Sequence, residues 1–228
     1  MPTLGTQACP IPSVWLTATA DILGAQRWEA PLLIEKLEAQ VDLLEAHGRL
    51  PDLFIGYLAS AAQAAKLDDW LAENEQRFGR IWIDPISGDN GRAYVPAELV
   101  TVWRRLVARG DVLLPNSTEI SLLAEAEGLN REAWLDRYKG SAQVIETSAR
   151  SASDNPGICI HEPKESRFIE VVWEPGRYRG TGDLFAAFLI ASVGAGWAWD
   201  AAVKRAAEQV RKAIRNTRES GSESLILP

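Results

Sequence analysis

The sequence predicts an α/β fold in which a mostly parallel sheet carries helices on both faces, a three-layer α/β/α architecture. Three observations carry this expectation. Short apolar runs alternate with helical periodicities of ten or more residues along most of the 228-residue chain. The runs stop at turn-forming residues, among them Gly56, Pro85 and Pro115–Asn116. With 46% hydrophobic residues, the chain is long enough to bury one large core. Strands separated by helices of that length pair in parallel through crossovers, and ligands then bind beyond the carboxyl ends of the strands.

Taken in order, residues 10–17 (PIPSVWLT) read as a short strand between prolines. Residues 30–47 read as a helix, because Leu33, Leu37, Val41 and Leu44 recur every three or four positions. Asp52–Gly56 is a short buried strand, and residues 60–77 return to helical spacing through Leu67, Trp70 and Leu71. Ile81–Asp84 is another buried strand, followed by a polar loop, SGDNGRAY. A helix over 96–109 gathers Leu99, Val102, Trp103 and Leu106 on one face, and Asp111–Leu114 is a strand. Helices are expected over 117–126 and 130–138, then a strand over Ala142–Thr147. Residues 148–178 read as a meander with strands at Gly157–His161 and Arg167–Trp173. An apolar helix over 183–195 follows, then one over 198–216 striped by Val203, Ala206, Ala207, Val210, Ala213 and Ile214. Neither a repeat nor a linker interrupts the pattern, so residues 1–228 are expected to form one domain, with 219–228 a loosely held tail.

Charge and composition exclude several classes. The 24 Lys and Arg against 31 Asp and Glu give a net charge of -7, which disfavours nucleic acid as a partner. The longest uncharged run, Leu184–Trp199, is too short and too interrupted by glycine to span a bilayer, and no basic, then apolar, leader opens the chain. Cys9 and Cys159 lie far apart, and His47 and His161 are the only histidines, which argues against a Cys/His zinc site. Both histidines read as surface residues and the tryptophans as packing. No Walker-type phosphate loop is present. The expectation is a soluble cytoplasmic protein without membrane or nucleic-acid partners.

Four polar clusters fall at the carboxyl ends of expected strands: Asp84 with Asp89, Asn116 with Glu119, Thr147 with Ser148, and Gly180–Asp183. Right-handed crossovers would bring such ends to one edge of the sheet. In RGTGDLFAAF, Gly180 and Gly182 around Thr181 allow a tight turn with bare amides, aimed with the positive end of the next helix at one spot. Such a turn suits a phosphoryl group in transfer, and Asp183 there suits a general base. The plainer reading is that Asp183 caps the helix. Asp84 and Asp89 could hold Mg²⁺ on a phosphate, or could serve a simple Asp89-Asn90-Gly91 turn. Ser117 could cap the helix after Asn116, with Glu119 favouring its positive end, and Thr147–Ser148 could be ordinary turn hydroxyls.

The ordered motifs D-P-x-x-G-D (Asp84–Asp89), Y-V-P (Tyr94–Pro96), P-N-x-x-E (Pro115–Glu119), T-S (Thr147–Ser148) and G-T-G-D-L-F-A-A (Gly180–Ala187) resemble the ribokinase-like superfamily. Within it the resemblance is to pyridoxal kinases, over about residues 50–215, and GYLAS (Gly56–Ser60) also resembles a family segment. The resemblance implies ATP-dependent phosphorylation of the 5′-hydroxymethyl group of pyridoxal and related vitamers, often by a homodimer. Asp183 would be the base and Gly180, Thr181 and Gly182 the anion hole. Asp89 and Glu119 would lie near Mg²⁺ and the phosphates, while Asp84, Asn116, Thr147 and Ser148 would line the ATP site. Ser13 falls where the family often has a substrate-contacting Thr.

The chain departs from the family pattern in three places. A first strand and helix would precede PIPSVWLT, so a gap or unusual sheet edge is expected beside the substrate pocket. TATADI (residues 17–22) replaces an S-N-H stretch, and Ile86–Ser87 replaces the usual middle of the acidic motif. Two other readings stay open: a hydroxymethylpyrimidine or sugar kinase of the same fold, and a nucleotide- or vitamer-binding protein without catalysis.

Overall fold

The computed structural model describes residues 7–17, 26–31, 33–172, 174, 176, 178–222 and 225–228. The TATADI stretch from residue 18 onward and Trp173, the expected end of a strand, lie outside the described residues. In chain order the first half contains β1 (Val14–Leu16), β2 (Arg27–Glu29), α1 (Leu33–Ala46), β3 (Leu53–Ile55), α2 (Ala61–Asn74), β4 (Ile81–Ile83), β5 (Gly88–Asp89), β6 (Arg92–Ala93) and α3 (Ala97–Val107). The second half contains β7 (Val112–Leu113), α4 (Ser117–Ala126), α5 (Arg131–Tyr138), β8 (Gln143–Arg150), β9 (Pro156–His161), β10 (Ser166–Glu170), α6 (Thr181–Gly194) and α7 (Trp199–Ser220). The six-stranded sheet has the order β10-β9-β8-β7-β4-β3, with β3, β4, β7 and β8 paired in parallel.

The chain forms two compact units, one of residues 9–145 with 161–164, the other built mainly from residues 146–160 and 165–228. In the first, β4 is buried at all three residues, as expected of a parallel strand covered on both faces. Its core gathers Leu71, Ile83, Trp103, Leu106, Leu113, Ile120 and Trp134, all essentially inaccessible. The α3 stripe is as expected, with Leu99, Trp103 and Leu106 buried, and Val100 and Val107 widen it. Ser60 caps α2 by accepting the Gln63 N–H at 3.0 Å. Buried Asp68 on α2 accepts Arg109 Nε at 2.6 Å and also pairs with Arg105, tying α2 to α3 through one desolvated carboxylate.

In the second unit α6 packs lengthwise on α7. Ala202, Ala206 and Ala213 are buried on α7, and side chains this small let neighbouring elements approach the helix closely. Half-buried Glu174 meets three arginines of α7, Arg211 at 3.6 Å, Arg215 at 3.3 Å and Arg218 at 3.2 Å.

Several elements differ from expectation for identifiable reasons. The loop after β4 is a hairpin, β5–β6, because Asn90 (φ 51°) and Gly91 (φ 73°) take the left-handed pair that a two-residue hairpin turn requires. β1 pairs with β2 in a separate antiparallel ribbon, and β3 ends the six-stranded sheet. RWE is too short and too polar to register as a strand by periodicity. β8 runs three residues past Thr147, and α7 continues to Ser220, where Gly221 (φ 67°) closes it. Beyond it, the Ile226 N–H donates to Thr217 Oγ1 at 2.8 Å, so the tail folds back on the helix that precedes it. His161 is 93% buried, contrary to a surface reading, while Trp15, Trp28 and Trp197 are exposed. The surface reading of His47 holds.

Candidate active site

In the first unit the acidic hairpin and the head of α4 form one cluster. Asn116, and not Ser117, caps α4: its Oδ1 accepts the Thr118 N–H at 2.8 Å and the Glu119 N–H at 3.0 Å. Glu119 completes the capping box by accepting the Asn116 N–H at 2.8 Å. Its other oxygen accepts the Ser87 N–H at 3.1 Å, and Asn116 Nδ2 donates to the Gly88 carbonyl at 2.9 Å. The motifs D-P-x-x-G-D and P-N-x-x-E are thus held to each other by side-chain to backbone hydrogen bonds, 32 residues apart in sequence for Ser87 and Glu119.

Burial pushes the Glu119 carboxyl well above the ordinary range, and the neighbouring Asp84 carboxylate raises it further. The N–H groups of Asn116, Ser87 and Gly88 act the other way by favouring the anion. Asp84 is buried, whereas Asp89 is exposed and accepts the Asn90 N–H at 2.8 Å and Asn90 Nδ2 at 2.7 Å. Among the described residues no group of three or more His, Cys, Asp and Glu is placed to hold a metal ion. The donor set nevertheless fits Mg²⁺ carried with a nucleotide. Carboxylate oxygens suit this hard cation, which usually takes one or two of them and completes its shell with water and phosphate. A divalent charge would also relieve the repulsion between Asp84 and Glu119.

Ser13 lies elsewhere in the same unit, with its hydroxyl donating to the Tyr57 carbonyl just beyond β3 at 2.5 Å. Its own carbonyl accepts Gln63 Nε2 at 2.8 Å and the Ala30 N–H at 2.9 Å, so it braces the β1–β2 ribbon.

In the second unit Gly180 takes φ 80° and is itself the cap of α6, with no side chain capping the helix. A residue with a Cβ is strained in that conformation, which gives the first glycine of the motif its physical reason. Helix α6 begins two residues earlier than its apolar pattern suggests, so Asp183 sits inside the first turn. The capping role open to it in the sequence therefore falls away. The first-turn amides of Thr181, Gly182 and Asp183 point out of the helix start, where the helix dipole favours an anion. A Cβ placed on Gly182 would meet nothing within 4 Å, which leaves open room in front of the turn. Asp183 is open to solvent on one side, yet the protein around its carboxyl removes enough water to raise its pKa. Thr147 is half-buried and Ser148 exposed. Ser148 adopts φ 56°, a left-handed conformation inside a strand, so it is no ordinary turn hydroxyl.

Sequence reasoning missed Thr118. Its Oγ1 accepts the Gly91 N–H at 2.9 Å, a contact that sequence could suggest only once the hairpin was recognised.

A parallel α/β sheet and a glycine turn heading an apolar helix with an acidic residue in its first turn define a kinase of the ribokinase-like class. The phosphomethylpyrimidine kinase family model matches residues 28–227, and the chain belongs to that family, on its pyridoxal kinase side. A pyridoxine/pyridoxal/pyridoxamine kinase of Bordetella pertussis is 30% identical over 98% of this chain and 83% of the relative. A Bacteroides thetaiotaomicron structure described as a phosphomethylpyrimidine kinase, crystallised with pyridoxal, is 26% identical with a TM-score of 0.77, covering 94% of this chain and 79% of that one. The pyridoxal kinase of Leishmania donovani, solved with ADP and pyridoxamine, shares the fold at TM-score 0.65 and 24% identity, over 95% of this chain and 79% of that one.

Proposed function

We propose that this kinase transfers the γ-phosphoryl group of ATP to the 5′-hydroxymethyl group of pyridoxal and related vitamers, with Asp183 as general base. The observation that carries the reading is the α6 head. A carboxyl with a raised pKa sits in the first turn of a helix whose leading amides carry no side-chain cap. A carboxylate of raised pKa is a better proton acceptor near neutral pH, and it would take the proton of the attacking hydroxyl. The amides of Gly180, Thr181 and Gly182 would stabilise charge on the transferred group. Asp89 and Glu119 would hold Mg²⁺ with the nucleotide, and Asp84, Asn116, Thr147 and Ser148 would line the ATP site. When bound, that ion neutralises phosphate charge. Ser13 would contact the vitamer. The name of the Bordetella relative and the pyridoxal in the Bacteroides structure support this substrate class. The two units would act as one kinase domain, in a cytoplasmic homodimer, and among the described residues no helix is long and apolar enough to cross a membrane.

The family's own description favours one second reading, a pyrimidine kinase, as does a Bacillus subtilis hydroxymethylpyrimidine/phosphomethylpyrimidine kinase, 26% identical over 84% of this chain and 73% of the relative. Side-by-side assays with MgATP separate the two. Preferential turnover of pyridoxal supports the proposal, whereas preferential turnover of hydroxymethylpyrimidine transfers the assignment to the second substrate.

A further inference from the structure

We infer that Thr118 is a positioning residue for the nucleotide–metal side of the reaction, tethering the hairpin that carries Asp89 to the head of α4. The inference rests on the proposed role of Asp89. Three side chains at the head of α4, its cap Asn116 and first-turn Thr118 and Glu119, grip three points of the acidic segment. Glu119 takes the Ser87 N–H at 3.1 Å, Asn116 holds the Gly88 carbonyl at 2.9 Å, and Thr118 takes the Gly91 N–H at 2.9 Å. The first two points lie at the start of the hairpin, Ser87 just before β5 and Gly88 within it. Thr118 alone holds the tip, beyond Asp89, so Asp89 is bracketed by a tether on each side.

The tip needs that tether. Asn90 and Gly91 both occupy left-handed backbone, β5 and β6 are two residues each, and the turn is exposed. A two-residue ladder supplies little cooperativity of its own. Without the Thr118 hydroxyl the Gly91 N–H would turn to water, and Asp89, whose carboxylate already leans on the neighbouring Asn90, would lose its fixed direction. The effect should fall on the affinity for MgATP, because the base and the vitamer contacts belong to other segments.

Thr118→Val keeps shape and removes the acceptor. The expected result is a KM for MgATP raised roughly 5-fold, the loss of one modest hydrogen bond. KM for pyridoxal stays unchanged and kcat at saturation stays within about twofold of wild type, as befits an interaction made equally in ground and transition states. Amide hydrogen exchange at Gly91 should quicken, and Thr118→Ser should restore both values. Should valine crowd the helix head, Thr118→Ala carries the same comparison. Unchanged exchange at Gly91 would show that the tether is absent in solution. Faster exchange with an unchanged KM for MgATP would show a tether that positions nothing. Either result overturns the inference. Titration with a non-hydrolysable MgATP analogue separates this from the substrate reading: weakened binding in Thr118→Val beside a wild type inactive on pyridoxal would keep the tether and discard the substrate.

Discussion

At the scale of single residues, Asp183 is the proposed base, and its environment would set its working range. Desolvation raises its pKa, so it holds a proton to higher pH than an ordinary aspartate, near 3.9. A protonated Asp183 is far too weak a base to take the hydroxyl proton. The rate should therefore fall as pH drops through the raised value, and the acid limb of the kcat profile should lie above the ordinary carboxylate range. A limb at about pH 4, unaffected by substitution of Asp183, would count against it as the base. The sequence showed the G-T-G-D string but left Asp183 open as a helix cap. Only the backbone decided, by starting α6 at Thr181 with Gly180 as its cap. Ser148 was illegible for a different reason, since a left-handed serine inside a strand follows from no propensity rule.

At the scale of elements, the acidic hairpin and the α4 head are one mechanical part. A Cβ on Gly88 would come within 2.7 Å of the Arg92 carbonyl oxygen and 2.8 Å of a Leu122 methyl. The first is backbone of the paired strand, so it yields only by opening the hairpin. Gly88→Ala should raise KM for MgATP and lower the melting temperature, measurable by steady-state kinetics and calorimetry; wild-type values for both would refute that packing. In the other unit Glu174 holds Arg211, Arg215 and Arg218 on one face of α7. Glu174→Ala leaves three cations facing one another. Since all three are partly solvated and Arg211 keeps Glu208 as a partner at 2.7 Å, water and that carboxylate screen much of the repulsion, and the expected result is a modest fall in the urea-unfolding midpoint. An unchanged midpoint would mean that the cluster contributes nothing to stability. Strands and helices with long periodicities were legible in sequence, and β3, β4 and α2 to α5 fall where apolar spacing places them. The ribbon β1–β2 and the hairpin β5–β6 were not, because pairings of two or three residues rest on turn geometry and distant partners.

At the scale of the whole molecule, the order of motifs carried more than any one of them. Asp84–Asp89, Pro115–Glu119 and Gly180–Ala187 fall in order along the chain: the first follows parallel strand β4, the second joins β7 to the head of α4, and the third forms the head of α6. The division into two compact units was not legible, since no linker marks it and it falls within the residues of β8. The central proposal is that Asp183 acts as base on a hydroxymethyl group while other residues hold the nucleotide. The direct measurement is ATP-dependent formation of pyridoxal phosphate by wild type and Asp183→Asn, alongside nucleotide binding by each. The account predicts turnover by wild type, a fall of about 10²–10⁴-fold in Asp183→Asn, and equal nucleotide affinity in both. Turnover undiminished in Asp183→Asn, or a wild type that binds ATP and pyridoxal without forming product, would contradict it.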